Sequence, residues 1–260
     1  MTIKRYQVDA FTNRIFAGNP AVVCPLTQWL PDTVMQNIAM ENNLSETAFY
    51  VKEDTGYRIR WFTPALEVDL CGHATLATAF VMFHHEGYPE NEIQFQSRSG
   101  LLGVKKEGDW LTLDFPVHPV KPENDLTKFR NCFAHQPVQA FRGKEDYLLV
   151  FASEDQIADA RADISAILRL DARAVIITAP GKTVDFVSRF FIPKAGINED
   201  PVTGYAHTVL VPYWTGVLGK NSFEARQLSA RGGELRCQLR GNRVAISGQA
   251  CLFSVGEIFL

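Results

Sequence analysis

Apolar and polar residues alternate along much of this chain, and two long uncharged stretches interrupt the alternation. Residues 3–11 read as a strand with Tyr6 and Val8 on one face, and Gly18-Asn19-Pro20 as a turn into a short apolar strand over 21–24. Pro31-Asp32 opens a helix whose apolar positions Val34, Met35, Ile38 and Ala39 recur at helical spacing and which Asn42-Asn43 ends. Strands follow over 47–51 and 57–62, the second alternating Tyr57, Ile59 and Trp61 against Arg58 and Arg60. Further strands are predicted over 93–95, 101–105 and 110–115, and Pro116, Pro119 and Pro122 mark a connection. The second half reads the same way. Strands are predicted at Phe141 and over 147–151, 174–178 and 184–191, with a helix over 154–160 that Ser153 would cap. The C-terminal segments 244–246 and 250–260 are strand-like.

The uncharged stretches carry the next inference. Residues 71–85 contain no Asp, Glu, Lys or Arg, and neither do 201–219. A helix apolar on every side is a buried helix. The first should start just after Gly72 and stop at Gly87; in the second, Pro212 predicts a kink or an early stop. These helices belong to a repeat. Arg60-Trp61-Phe62-Thr63-Pro64 matches Arg189-Phe190-Phe191-Ile192-Pro193 at an offset of 129, and Gly72-His73-Ala74 matches Gly204-Tyr205-Ala206 at 132. A repeat near half the chain length predicts two similar α/β halves, each with strands wrapped around one helix.

Composition narrows the class. Of 260 residues, 46% are hydrophobic and 21% charged, as in soluble globular proteins, and a net charge of −3 gives no general pull toward nucleic acid or anionic membrane. No window approaches the about 20 apolar residues of a membrane span, and the first residues carry no signal-peptide core, so a cytoplasmic protein is expected. Five scattered cysteines without a C-x-x-C pair argue against a disulfide framework and a zinc site.

The chemistry gathers at the two helix starts. A helix start leaves backbone N–H groups unpaired and favours a bound carboxylate or phosphate. Asp69, Glu199, Asp200, His73 and His207 lie at or near these turns, Glu46 follows Ser45 at the start of a strand after the helix that ends near Asn42, and all six are candidate acids and bases for proton transfer. Each has a plainer reading: Glu46 as a solvated strand start, Asp69 and Asp200 as helix caps, His73 as a packed turn residue, Cys71 as a small buried hydrophobe, and His84-His85 as partners of terminal carbonyls.

Six blocks in order, at 8–12, 18–21, 43–49, 60–64, 69–75 and 199–204, resemble the signature segments of the PhzF-like (phenazine biosynthesis) family, and the likeness runs from Val8 to about Trp214. The resemblance implies an α+β fold of the diaminopimelate-epimerase type, with two similar pseudo-twofold lobes, each a barrel-like sheet around a central helix. Lobes at 1–118 and 119–260 follow, with the last strand free to return to the first. It also implies an isomerase without metal or other cofactor, usually a homodimer, that acts on a small acidic metabolite. By position, Glu46 matches the family's general acid/base, and His73 and Asp200 match further catalytic positions. Asn19, Gly72, Gly204 and Tyr205 match substrate-binding positions.

The pattern departs at Tyr205, where phenazine-forming members carry serine. A phenol would fill or reshape the pocket, which weighs against the phenazine precursor as substrate. The related racemases use one cysteine from each half; here Cys71 stands alone and Asp200-Pro201 occupies the second neighbourhood, which disfavours a two-thiol racemase. Two rival readings are a non-catalytic small-acid binding protein on the same fold and a cysteine hydrolase built on Cys71.

Overall fold

A computed structural model describes residues 1–54 and 56–260. The chain runs β1 (Thr2–Ala10), β2 (Asn19–Leu26), α1 (Asp32–Asn42), β3 (Glu46–Glu53), β4 (Gly56–Phe62), β5 (Glu67–Val68), α2 (Gly72–His84), β6 (Glu92–Ser97), β7 (Gly100–Glu107) and β8 (Trp110–Pro116). It continues with β9 (Lys121–Glu123), β10 (Gln139–Arg142), β11 (Asp146–Val150), α3 (Glu154–Ala158), α4 (Ile164–Leu168), β12 (Ala174–Pro180), β13 (Phe186–Ile192) and β14 (Ile197–Asp200). It ends with α5 (Gly204–Leu218), β15 (Ser222–Gln227), β16 (Gly233–Arg240), β17 (Arg243–Gly248) and β18 (Ala250–Phe259).

Two compact units result: residues 1–114 with 247–260, and residues 115–246. The expected boundary at 118 thus lies at 114, and the last segment leaves the second unit. The reason is β18, which pairs antiparallel with β1 along its whole length, from Thr2↔Phe259 to Ala10↔Ala250.

In the first unit β1 pairs antiparallel with β2, β2 parallel with β3, β3 antiparallel with β4, β4 antiparallel with β5 and parallel with β6, and β6 antiparallel with β7. The second unit repeats the wiring: β10–β11 antiparallel, β11–β12 parallel, β12–β13 antiparallel, β13–β14 antiparallel, β13–β15 parallel and β15–β16 antiparallel. Helix α2 packs on β1, β2, β3, β7 and β18, which explains why it could dispense with charges. Leu76, Val81, Met82 and Phe83 all face the core, each contributing about 2 kcal/mol by burial.

Helix α5 runs unbroken through Pro212, against the kink or stop that the proline predicts. A proline leaves the carbonyl four residues earlier without its helical donor. Here that carbonyl, of Thr208, accepts from the His118 backbone N–H at 3.2 Å. The helix over 154–160 is shorter than expected, and the Ser153 side chain makes no capping bond.

Candidate functional site

Gly18 holds φ at +64°, and a Cβ there would stand 2.2 Å from the Ala10 carbonyl oxygen, so only glycine makes this turn. It delivers Asn19 to the start of β2. Parallel pairing with β3 brings Glu46 beside Ala21, two residues along. Cys71, in extended conformation, is the N-cap of α2, which makes Gly72 and His73 the first residues of the helix. Asn19, Glu46, Cys71, Gly72 and His73 therefore meet at one end of the first unit.

Imidazole His73 is the hub. Its Nδ1 lies 3.2 Å from Asn19 Nδ2 and 3.5 Å from Cys71 Sγ. Its Nε2 lies 3.1 Å from Glu46 Oε2. In either the Nε2-protonated neutral ring or the charged ring, a proton on Nε2 faces Glu46. The 3.1 Å approach is not aligned as a hydrogen bond: both Nε2 and Oε2 are buried without a hydrogen-bond partner. Burial disfavours a charged His73, but the Cys71 sulfur and the Glu46 carboxylate favour it more and hold its pKa well above the ordinary imidazole range. Burial pushes the Cys71 thiol up, with Glu46 adding to it and His73 opposing.

Cys71 and the α2 start show why the plainer readings fail for some residues and hold for others. Glu46 is 15% exposed, not a solvated strand start. Asp69 caps nothing; its exposed carboxylate faces Arg98 at 3.7 Å. His84 does meet a helix carbonyl, that of Phe80, at 3.0 Å. No side chain caps α2, so its first amides are free of side-chain acceptors. Glu46, Cys71 and His73 also bring three possible metal donors within 4.8 Å of one another. The sulfur and the carboxylate face opposite ring nitrogens, however, an arrangement that suits a relay through the ring better than one ion between all three.

The other expected residues lie in the second unit. Thr203 is the N-cap of α5, again with no side-chain cap bond, and Gly204 and Tyr205 begin the helix. The Thr203 hydroxyl donates to Asp200 Oδ2. Gln227, which the sequence reading did not single out, clamps this turn: its Nε2 donates to the Asp200 carbonyl at 2.7 Å and its Oε1 accepts from the Thr203 N–H at 3.0 Å. Fully buried in a strand of alternating burial, a glutamine at that place was the available signal. Tyr205 turns its ring toward His118, 5.0 Å between centroids, and Phe190, while its hydroxyl faces Asp146. His207 is wholly buried, with Nδ1 donating to the Thr203 carbonyl at 2.9 Å, and burial lowers its pKa to about 4.

Asn19, which the resemblance places at the substrate, is 0% exposed, and its Nδ2 lies 3.2 Å from His73 Nδ1.

Comparison with known proteins agrees over the whole chain. A family profile described as phenazine biosynthesis-like protein matches residues 8–256. An uncharacterized isomerase of Pseudomonas aeruginosa is 49% identical over 260 residues, covering 100% of both chains. The human phenazine biosynthesis-like domain-containing protein is 38% identical over 288 residues, covering 99% of each. Among solved structures, a PhzF-family phenazine biosynthesis protein of Enterococcus faecalis superposes with a TM-score of 0.98 at 48% identity and 100% coverage of both chains. A hydroxyproline epimerase of Agrobacterium vitis superposes at a TM-score of 0.62 with 8% identity, over 99% of this chain and 92% of that one, a likeness of fold alone. The fold is the epimerase-type α+β fold, and the chain belongs to the PhzF, or phenazine biosynthesis-like, family as one of its isomerases.

Proposed function

We propose that this isomerase moves a proton at a carbon of a small carboxylate-bearing metabolite, with Glu46 as general acid/base and His73 as its partner. The observation that carries the reading is the pair itself. Oε2 of Glu46 and Nε2 of His73 stand 3.1 Å apart, buried, and neither is used by another hydrogen bond. Buried polar atoms are ordinarily satisfied, and a matched pair left open at a helix start suits a reacting atom.

Glu46, as carboxylate, takes the proton from carbon, and the same group returns it at the new position. The Nε2 proton of His73 steadies the carboxylate before the first step and after the second. Asn19 holds the ring so that this proton faces Glu46. The open amides at the start of α2 hold the substrate's carboxylate, and with it the negative charge that grows as the proton leaves carbon. In the second unit Asp200 and the Thr203–Gly204 turn offer the same kind of helix start, shaped by Gln227. Tyr205 faces Asp146 there, and its hydroxyl does not stand in for the serine of phenazine-forming members.

The test is exchange in heavy water. Wild type and Glu46→Gln are incubated with a panel of small acids, free amino acids and a dihydro-hydroxyanthranilate included, and mass is followed. Deuterium incorporated by wild type and not by Glu46→Gln supports the reading and gives the substrate class. Incorporation that survives the substitution would overturn Glu46 as the acid/base.

A further inference from the structure

The second unit contains a counterpart of the Glu46–His73 cluster, and its polar content differs. Phe62 and Phe191 hold the same place in the repeat, 129 residues apart. Across the sheet from them stand Thr47 and Val175. The preceding residues, Glu46 and Ala174, therefore correspond. Their partners on the neighbouring parallel strand correspond too: Ala21 opposite Glu46, and Asp146 opposite Ala174. His73 and Tyr205 are each the second residue of their helix. Where the first unit has an imidazole against a carboxylate, the second has a phenol against one, shifted by one strand.

That carboxylate lines a cavity of about 240 Å³, bounded also by His118, Val120, Lys144, Tyr205 and Val209. Asp146 is 3% exposed, and neither of its oxygens makes a well-formed hydrogen bond, although the Tyr205 hydroxyl and the Arg173 guanidinium lie near enough to favour its charged form. Arg173 comes to 3.6 Å of Oδ1, beyond hydrogen-bond range, and its guanidinium lies over the Tyr205 ring at 5.2 Å. Burial raises the Asp146 pKa against the opposing pull of Tyr205 and Arg173. A buried carboxyl without a hydrogen bond is costly unless something else supplies one.

The surroundings decide what that something is. Asp146 repels an anion, while Arg173 and the Lys144 of the lining repel a cation. A neutral donor meets neither penalty, and the apolar walls together with the His118 and Tyr205 rings accept a flat apolar body. We propose that this cavity binds a small neutral molecule carrying a hydrogen-bond donor on a compact apolar body, a phenol or an arylamine, with the Asp146 carboxyl as the acceptor. The proposal rests on the second unit's geometry and stands apart from the isomerase reading.

The probes are phenol, aniline, toluene, benzoate and benzylammonium, each titrated into the full chain and followed in amide NMR spectra. Phenol and aniline should bind saturably, shifting amides of residues 118, 120, 143–148 and 205–209, and more tightly than toluene. Asp146→Leu removes the acceptor without opening a void, and should weaken phenol by about tenfold or more while leaving toluene unchanged. Asp146→Asn keeps an acceptor and should hold phenol within about threefold of wild type. The proposal fails if toluene binds as well as phenol, if benzoate or benzylammonium binds more tightly, if no probe saturates, or if Asp146→Leu leaves phenol unchanged. Should that variant not fold, the wild-type preference for phenol over toluene and the Asp146→Asn result decide.

Discussion

Two helices, α2 and α5, begin in the same way in two units with the same strand wiring, yet their histidines live under opposite electrostatics. His73 stands between a thiol and a carboxylate, and its pKa is raised. His207 stands four residues into α5, beside the Phe186 ring at 6.0 Å between centroids, and burial alone dominates its pKa, which falls to about 4. The scaffold repeats; the charge around it does not. Even the clamps on the two turns repeat, with the Ser99 hydroxyl donating to the Asp69 carbonyl and the Ser229 hydroxyl to the Pro201 carbonyl, each at 2.8 Å. The two units thus share the backbone that presents a helix start and differ in the side chains around it. At the two helix starts, the imidazole of His73 meets the Glu46 carboxylate, while the matching position in the second unit carries the Tyr205 phenol.

The sharpest break in the comparison is Glu46→Gln. It removes the one carboxylate that meets His73 and should slow exchange of deuterium into substrate by about 10³-fold, within the usual range for losing a general acid/base. Circular dichroism and the thermal midpoint should change little. A loss below about tenfold would put the two helix starts on an equal footing and end the contrast.

The histidines themselves give the next effect, in stability. His207 is neutral in the fold, while the unfolded chain binds its proton near the ordinary pKa of about 6.5. Its contribution is therefore intact above about pH 6.5 and is lost as pH falls toward 4, at most about 3 kcal/mol by that point. His73 runs the other way: its raised pKa adds stability below the ordinary imidazole range, and that is lost as pH rises through its folded value. His207→Asn keeps an N–H near the Nδ1 position and cannot charge. Urea midpoints at pH 7 and pH 4.5 should lie closer together in this variant than in wild type. Equal acid losses in both would place the titrating group elsewhere.

Much of this was legible beforehand because it rests on local pattern. The uncharged runs marked α2 and α5, and the offsets of 129 and 132 marked the repeat that the strand wiring bears out. What stayed hidden depends on contacts distant in sequence. That α5 survives Pro212 depends on His118, some ninety residues earlier, taking the freed Thr208 carbonyl. That β18 closes the first unit depends on pairing with β1 at the other end of the chain. Asn19 could be placed by resemblance at the site, but its contact with His73 appears only once α2 is packed on β2. Asp146 gave no signal at all, since a lone aspartate at a strand start looks like any other until its burial is known.

Asn19 supplies the next prediction. Asn19→Ala leaves His73 Nδ1 with Cys71 alone and lets the ring turn, so exchange should fall by about tenfold, and its pH profile should shift. A purely structural role would lower stability and leave the profile where it was.

The smallest effect separates two ion pairs that occupy the same place in the repeat. Arg60 grips Glu67 with two bonds of 2.7 Å, and Arg189 grips Glu199 with bonds of 2.7 and 2.8 Å. The offsets, 129 between the arginines and 132 between the glutamates, are those of the repeat. Their surroundings differ. Glu67 also meets Arg98 at 2.7 Å, so Arg60→Ala leaves it a cation. Arg189 in addition donates to the carbonyls of Ile157 and Ala160, at 3.3 and 3.2 Å, and its removal strands three acceptors together. Arg189→Ala should therefore cost about 2 kcal/mol and Arg60→Ala about 1, these side chains being only partly shielded from water. Denaturant midpoints of the two variants measure the difference. Equal losses would mean that Arg98 does not compensate, and Arg98→Ala in the Arg60→Ala background would then add nothing further.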